Sequence, residues 1–352
     1  MDIKSGFPCC AYFAAANGYD GFRSYFNEIF SPTDFERLYI LKGGPGTGKS
    51  NFMKRIYEHF LNLGYECDAI FCSSDRHSFD GVIIYGNNGK VGVLDGTAPH
   101  EVDARMPGAV DEIINLGVAW DSKGLFDRRY DIEVLVAEKK RRYENAYFFM
   151  RLAGDFYKKK KSRDTIADAS DIYSNEIAKY TKTLMKNSGR INKKYLLSCF
   201  SKDGYISDLA HSFRCQNRVS VYSEKGDEFA YFDALVSVLR ENGSDVIRFP
   251  SPLSDSLTDA VFIKESDTLI FMDRNKKVSA DIVLSASKND DSFSSFCAEQ
   301  NALLLEKAKG EFAAASESHF LLEKIYISHM NFDVIDTICK DIILKIEHVI
   351  SV

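Results

Sequence analysis

The chain has 352 residues, 45 % of them hydrophobic and 27 % charged, with a formal net charge of −6. That length exceeds one ordinary hydrophobic core and predicts about two globular domains, while the composition excludes wholly disordered, collagen-like and fibrous chains. The acidic balance gives no general pull toward nucleic acid or an anionic membrane and favours a small-molecule partner.

The N-terminal run MDIKSGFPCCAYFAAANGYDG lacks the basic start and long apolar core of a signal peptide. No later run approaches the ~18 apolar residues of a membrane span, so a cytoplasmic location is expected. The cysteines at 9, 10, 67, 72, 199, 215, 297 and 339 form no CxxC pair and have no histidine at metal-ligand spacing. They read as reduced structural thiols.

LYIL, from Leu38 to Leu41, is a short apolar run ending before glycines, which predicts a buried strand of a parallel sheet. The residues that follow, Gly43, Gly44, Pro45, Gly46, Thr47, Gly48, Lys49 and Ser50, match G-x-x-x-x-G-K-[ST] at every fixed position. Glycines let the backbone turn its N–H groups inward around an anion. The lysine reaches the β- and γ-phosphates, and the hydroxyl of Ser50 is a ligand for Mg²⁺. From Ser50 and Asn51 onward, Phe52, Met53, Ile56, Tyr57 and Phe60 recur at helical spacing. A helix N-terminus therefore faces the phosphates and adds its partial positive charge. The expected ligand is ATP or another nucleoside triphosphate with Mg²⁺, held by residues 43–51.

Such a site also needs a carboxylate at the end of a neighbouring strand, to hold the metal through water. KVGVLDGTAPH supplies Asp95 after Val91, Val93 and Leu94. In many ATPases a glutamate follows that aspartate and orients the attacking water, but here Gly96 follows. Candidates for the missing base are Asp75 in CSSDRHSFDG and Glu101 or Asp103 after DGTAPH, with His77 and His100 as possible substrate contacts. An Asp-Gly pair in this place also suits a phosphotransferase, which has no water to activate.

The segment RVSVYSEKGDEFAYFDALVSVLRENGSDVIRF, from Arg218 to Phe249, repeats the order strand, loop, helix, glycine, strand of residues 37–71. YFAAANGYDGFRSYF parallels LLSCFSKDGYISDLA, and DGVIIYGNNGKVGVLDG parallels DAVFIKESDTLIFMDR, which puts Asp273 where Asp95 stands. These matches predict a tandem duplication. The second copy keeps one glycine and no Lys-Ser pair, so one competent nucleotide site is expected. Between the copies, residues 131–187 read as polar helix, with Ile166, Ile172, Tyr173, Ile177, Tyr180 and Leu184 on one stripe and basic clusters EKKRRYEN and KKKKSR on a solvated face.

GGPGTGKS, CSSD with SFDGVII, VLDGTAPHEVD and PGAVDEIINLG, together with the repeat, resemble a family of predicted ATPases found mainly in clostridia and related bacteria. The resemblance spans most of the chain and implies a two-domain P-loop NTPase whose physiological role is undefined. The expected architecture is α/β: two tandem P-loop NTPase-like three-layer domains with mainly parallel sheets and helical extensions. Residues 1–190 form the intact domain and residues 191–352 a degenerate one. The expected function is Mg-dependent hydrolysis of ATP or GTP at one site, with Lys49, Asp95, Asp75 and Glu101 as catalytic candidates and Ser50 and Asp95 as the metal side. Arg248 and Arg274 are candidates for an arginine supplied by the second copy. A small-molecule or nucleotide kinase and a slow nucleotide-dependent switch are the alternatives.

Overall fold

A computed structural model describes residues 10–87, 89–161, 177–178, 195–223, 228–273, 280–284 and 292–351. β1 (Cys10–Phe13), β2 (Ala15–Gly18) and β3 (Gly21–Ser24) precede a one-turn helix, α1 (Phe26–Ile29). β4 (Arg37–Lys42) leads through the glycine loop into α2 (Lys49–Asn62), then β5 (Glu66–Phe71), β6 (Phe79–Tyr85), β7 (Lys90–Asp95) and β8 (Asp111–Asn115). Next come α3 (Ser122–Asp127) and the long α4 (Arg129–Lys161). β9 (Cys199–Ser201), β10 (Gly204–Ile206), β11 (Asn217–Ser223), α5 (Glu228–Glu241), β12 (Val246–Pro250), β13 (Thr258–Ile263), β14 (Thr268–Met272) and β15 (Ile282–Leu284) follow. α6 (Ser292–Ile327) and α7 (Phe332–Ser351) come last.

The protein is α/β, and it divides into two compact units. One holds residues 1–15, 24–146 and 310–352, the other residues 16–23 and 147–309, so the boundary falls inside both α4 and α6.

In the first unit six strands run in the order β1-β5-β6-β7-β4-β8. β4 lies parallel to both β7 and β8 and is buried along its apolar run, which is why Leu38 to Leu41 carry no polar alternation. The sheet is mixed rather than mainly parallel: β6 runs antiparallel to both β5 and β7. The link from β6 to β7, where the Gly86 N–H donates to the Gly89 carbonyl at 2.8 Å, is a hairpin turn too short for the crossover that a parallel pair requires.

α2 lays Phe52, Met53, Ile56, Tyr57 and Phe60 on this sheet. The same core takes Ile335, Cys339, Ile342, Ile346 and Ile350 from α7, spaced so that they form one stripe of the helix. The C-terminal helix, expected with residues 191–352, therefore belongs to the first unit. Polar contacts surround its rim: Arg55 pairs with Asp336 and Lys345 with Glu112 at 2.6 Å, and His59 hydrogen-bonds Glu347 at 2.7 Å. On the opposite face Phe26, Phe30 and Phe35 stack in series, and Gly92 lets β7 approach them, since a Cβ there would meet Leu38 at 2.6 Å and Phe30 at 3.1 Å.

In the second unit the sheet order is β12-β13-β14-β11-β15. β12 and β13 are antiparallel, as are β13 and β14, while β11 is parallel to both β14 and β15. Order and direction match β5-β6-β7-β4-β8 strand for strand. α5 buries Phe229, Tyr231, Phe232, Leu235 and Leu239, and so corresponds to α2. The central stripe expected at residues 166, 172, 173, 180 and 184, the loop at residues 224–227 and Arg274 lie outside the described residues. Among the described residues no helix is long and apolar enough to cross a membrane.

Candidate functional site

The glycine loop leaves the carboxyl end of β4 and enters α2 at Lys49. Gly46 and Gly48 take left-handed backbone angles, with φ of +70° and +83°, and Gly48 is the residue at which α2 begins. At Gly46 the space is closed as well: a Cβ would lie 2.8 Å from the Glu323 carbonyl oxygen and 3.2 Å from Tyr326. Thr47 is fully buried and its hydroxyl donates to the Gly44 carbonyl at 2.8 Å, which braces the loop from within. Lys49 folds back so that its ammonium donates to the carbonyls of Gly43, at 2.8 Å, and Gly44, at 3.0 Å.

Among the described residues no backbone carbonyl accepts the N–H groups of Gly44, Gly46, Thr47, Gly48, Lys49, Ser50 or Asn51. A helix start always leaves its first amides without an internal partner, and here the preceding glycines extend that set. The result is a run of donors on one short stretch of chain, the arrangement that suits an anion; the Gly46 N–H already meets one, the Glu323 carboxylate.

Asp95 closes β7, which lies directly beside β4, and Leu41 is its partner across the ladder. Its carboxylate is 3.6 Å from the Lys49 ammonium, with both side chains 12 % exposed. The other oxygen accepts from the Thr97 N–H at 2.9 Å and the Thr97 hydroxyl at 2.6 Å, so the aspartate is held in one orientation. The Ser50 hydroxyl accepts from the Phe79 N–H at 2.8 Å, which ties the start of α2 to β6.

Of the carboxylates weighed as the missing base, Asp75 is exposed and accepts from the His77 N–H at 3.1 Å, capping its own turn. Asp103 is engaged by Lys42 at 2.9 Å. Glu101 is exposed and lines a cavity of ≈ 330 Å³ shared with Lys42, Gly43, Gly96, Thr97, Asn115 and Trp120. The cavity sits at the carboxyl ends of β4, β7 and β8, the edge at which open α/β sheets bind ligands. Trp120 lines it with its ring, while its indole N–H is buried without a hydrogen-bond partner.

His77 is exposed. His100 is buried, stacks on Phe26 with ring centroids 4.4 Å apart, and places Nε2 3.3 Å from the Asp80 carboxylate. Burial pulls the pKa of His100 down, but the Asp80 carboxylate and the more distant Asp95 outweigh it and raise the value above 6.5. A histidine raised in the folded state adds stability that is fully present below its unfolded value near 6.5 and lost as pH rises through the folded value. The urea midpoint of the wild type is accordingly expected to fall between pH 6 and pH 8. Asp80→Asn should flatten that step; an equal step in the variant would show that the pair is not its source.

Three further titratable groups lie near the loop: Lys139 on α4, and His319 and Glu323 one turn apart on α6. Lys139 Nζ lies 3.1 Å from His319 Nδ1, and His319 Nε2 lies 3.6 Å from Glu323. Burial pushes the Glu323 carboxyl upward and Asp75 adds to this, partly offset by Lys49, the Gly46 amide and Lys139. Burial, then Lys139 and Lys49, lowers His319 to about 4. These groups stand 88 or more positions from the loop in sequence, with no local motif to mark them.

In the second unit Asp273 is buried after β14, its N–H donating to the Val221 carbonyl at 2.9 Å and its carboxylate 3.8 Å from His211. Arg248 spends its guanidinium on Thr258, Asp255 and Leu257, each at 2.7 Å, and so braces its own hairpin. Comparison of the chain with protein-family models, with curated proteins and with solved structures finds no match.

Proposed function

We propose that the first unit is a P-loop nucleotide site that binds ATP or GTP with Mg²⁺ through residues 43–51 and hydrolyses it. The second unit is then a degenerate P-loop-like copy with a structural or regulatory role. One observation carries the reading: the N–H groups of Gly44 and of Gly46 to Asn51 are unclaimed by any backbone carbonyl among the described residues, on the same short loop whose Lys49 ammonium lies 3.6 Å from Asp95 of the adjacent strand. The matching order of the two sheets supports descent from one duplicated unit.

Among the described residues no cluster of three or more His, Cys, Asp or Glu side chains is arranged to hold a metal by itself. Mg²⁺ suits this site nonetheless, because it is bound by few protein groups and takes the rest of its shell from phosphates and water. Ser50 is the direct ligand in this reading, Asp95 acts through water, and the bound cation neutralises charge that develops on the phosphates. Lys49 then exchanges its two loop carbonyls for phosphate oxygens. Asp75 and Glu101 remain the proposed sources of a base, Glu101 being the one that lines the cavity.

A second reading rests on that cavity. Its ≈ 330 Å³ beside Gly43 and Gly96, with Glu101 and Asn115 on its walls, is room for a small phosphate acceptor. The two readings separate in one assay, in which γ-labelled Mg·ATP is incubated with the purified chain alone and then with a pool of small metabolites. Release of inorganic phosphate without any acceptor supports the hydrolase. Label that appears only on an added metabolite establishes the kinase, and tight binding with no turnover in either condition establishes a switch.

A further inference from the structure

Lys139 is the most conspicuous charge near the loop that the nucleotide reading does not use. It is half-buried on α4, and among the described residues no carboxylate lies within ion-pair distance of its ammonium. Its partner is a ring nitrogen of His319, which is itself held largely neutral. Burial lowers the pKa of Lys139; Glu323 works against this, Lys49 adds to it, and Cys72 opposes it. Lys49 thus lies within electrostatic reach of both Lys139 and His319. The groups that face the cluster are Lys49 from the loop, Asp75 from the turn before β6, Lys139 from α4 and Glu323 from α6.

The geometry places this cluster at the mouth of the loop. α6 touches Gly46 through the Glu323 carbonyl, Tyr326 and Ile327, and the Glu323 carboxylate faces the Gly46 N–H. His319 stands one turn earlier on α6, and Lys139 is bonded to it. Lys49 already has the Asp95 carboxylate at 3.6 Å, whereas the Lys139 ammonium faces only a neutral imidazole in a partly dry space, which costs free energy unless an anion joins it. A triphosphate brings several negative charges to the place where Glu323 now supplies one.

We propose that Lys139, positioned by His319, is a second cationic contact of the site and binds the terminal phosphate of a nucleoside triphosphate. The inference rests on the nucleotide-site reading above. It gives the site a means to tell triphosphate from diphosphate, since Lys49 and the loop amides serve the β-phosphate in both while Lys139 meets the γ-phosphate alone.

The test is calorimetric titration of the full chain with the non-hydrolysable triphosphates AMP-PNP and GMP-PNP and with ADP and GDP, all with Mg²⁺. Lys139→Ala is expected to weaken triphosphate binding tenfold or more and to leave diphosphate binding within about twofold; Lys139→Arg should retain most of the preference. A matched thermal melt of the apo variants checks folding, and the His319 ring resonance should titrate at higher pH when AMP-PNP is bound. Equal losses for both nucleotide classes would overturn the assignment and leave Lys139 a packing residue. A wild type that binds none of the four probes would overturn the nucleotide site itself, and this inference with it.

Discussion

Replacing Lys49 by alanine is expected to abolish the stabilisation that Mg·ATP or Mg·GTP gives the wild type. A ligand that binds only the native state stabilises it by about 2.7 kcal/mol at roughly 100 times its Kd. For a domain of this size that corresponds to a rise in Tm on the order of 5–10 °C. Lys49 carries the positive charge within the loop itself, and with it removed the Asp95 carboxylate, 3.6 Å from where the ammonium stood, loses its cation. That group repels an anion. The apo variant itself should melt close to the wild type, because Asp95 keeps both Thr97 donors and Thr47 still braces the loop. Differential scanning fluorimetry with and without 5 mM-scale nucleotide reads both effects, and a nucleotide shift that survives in the variant would refute the role given to Lys49.

The second large effect lies far from the loop. Ile346→Ala is expected to cost about 2–5 kcal/mol, the range for truncating a large aliphatic side chain in a packed core. Ile346 has no exposed surface and belongs to the cluster that includes Tyr39, Phe52, Ile56 and Phe60. The loss therefore falls on the sheet and helix that carry the loop, although residue 346 lies about three hundred positions away in the chain. If α7 belonged instead with the second sheet, Ile346→Ala would leave the first unit intact and nucleotide binding would persist through the mutant's first unfolding transition. Urea unfolding followed by hydrogen exchange at the amides of β4 and α2 separates the outcomes. Protection of those amides should drop with global stability, and unchanged protection would contradict the packing described here.

The loop was legible because its chemistry is local. Gly46 and Gly48 stand where the chain must turn left-handed, Lys49 and Ser50 follow at fixed spacing, and α2 shows its apolar stripe in a dozen residues. Asp95 was legible for a similar reason, as an acidic residue that ends a short buried run beside glycine. Strand direction was less so. An apolar run identifies β6 or β7 without its sense, and the decisive feature was the shortness of the turn between them.

The place of α7 was hidden for another reason. Its isoleucine stripe proves that the helix buries one face, but amphipathicity names no partner, and chain order suggested the nearer sheet. Lys139, His319 and Glu323 were hidden most completely. They come from two long helices whose charged residues look like a solvated surface in sequence, and only the fold brings Glu323 against Gly46 and links His319 and Lys139 to it. Asp80 was present in SFDGVII but attracted no role until His100 was seen against it.

The central proposal is one competent nucleotide site in the first unit. The most direct measurement is isothermal titration of the purified full chain with Mg·AMP-PNP and Mg·GMP-PNP, with Lys49→Ala as the paired sample. The expected result is one nucleotide per wild-type chain and none per variant chain. Two per wild-type chain, or one that persists when Lys49 is gone, would contradict it.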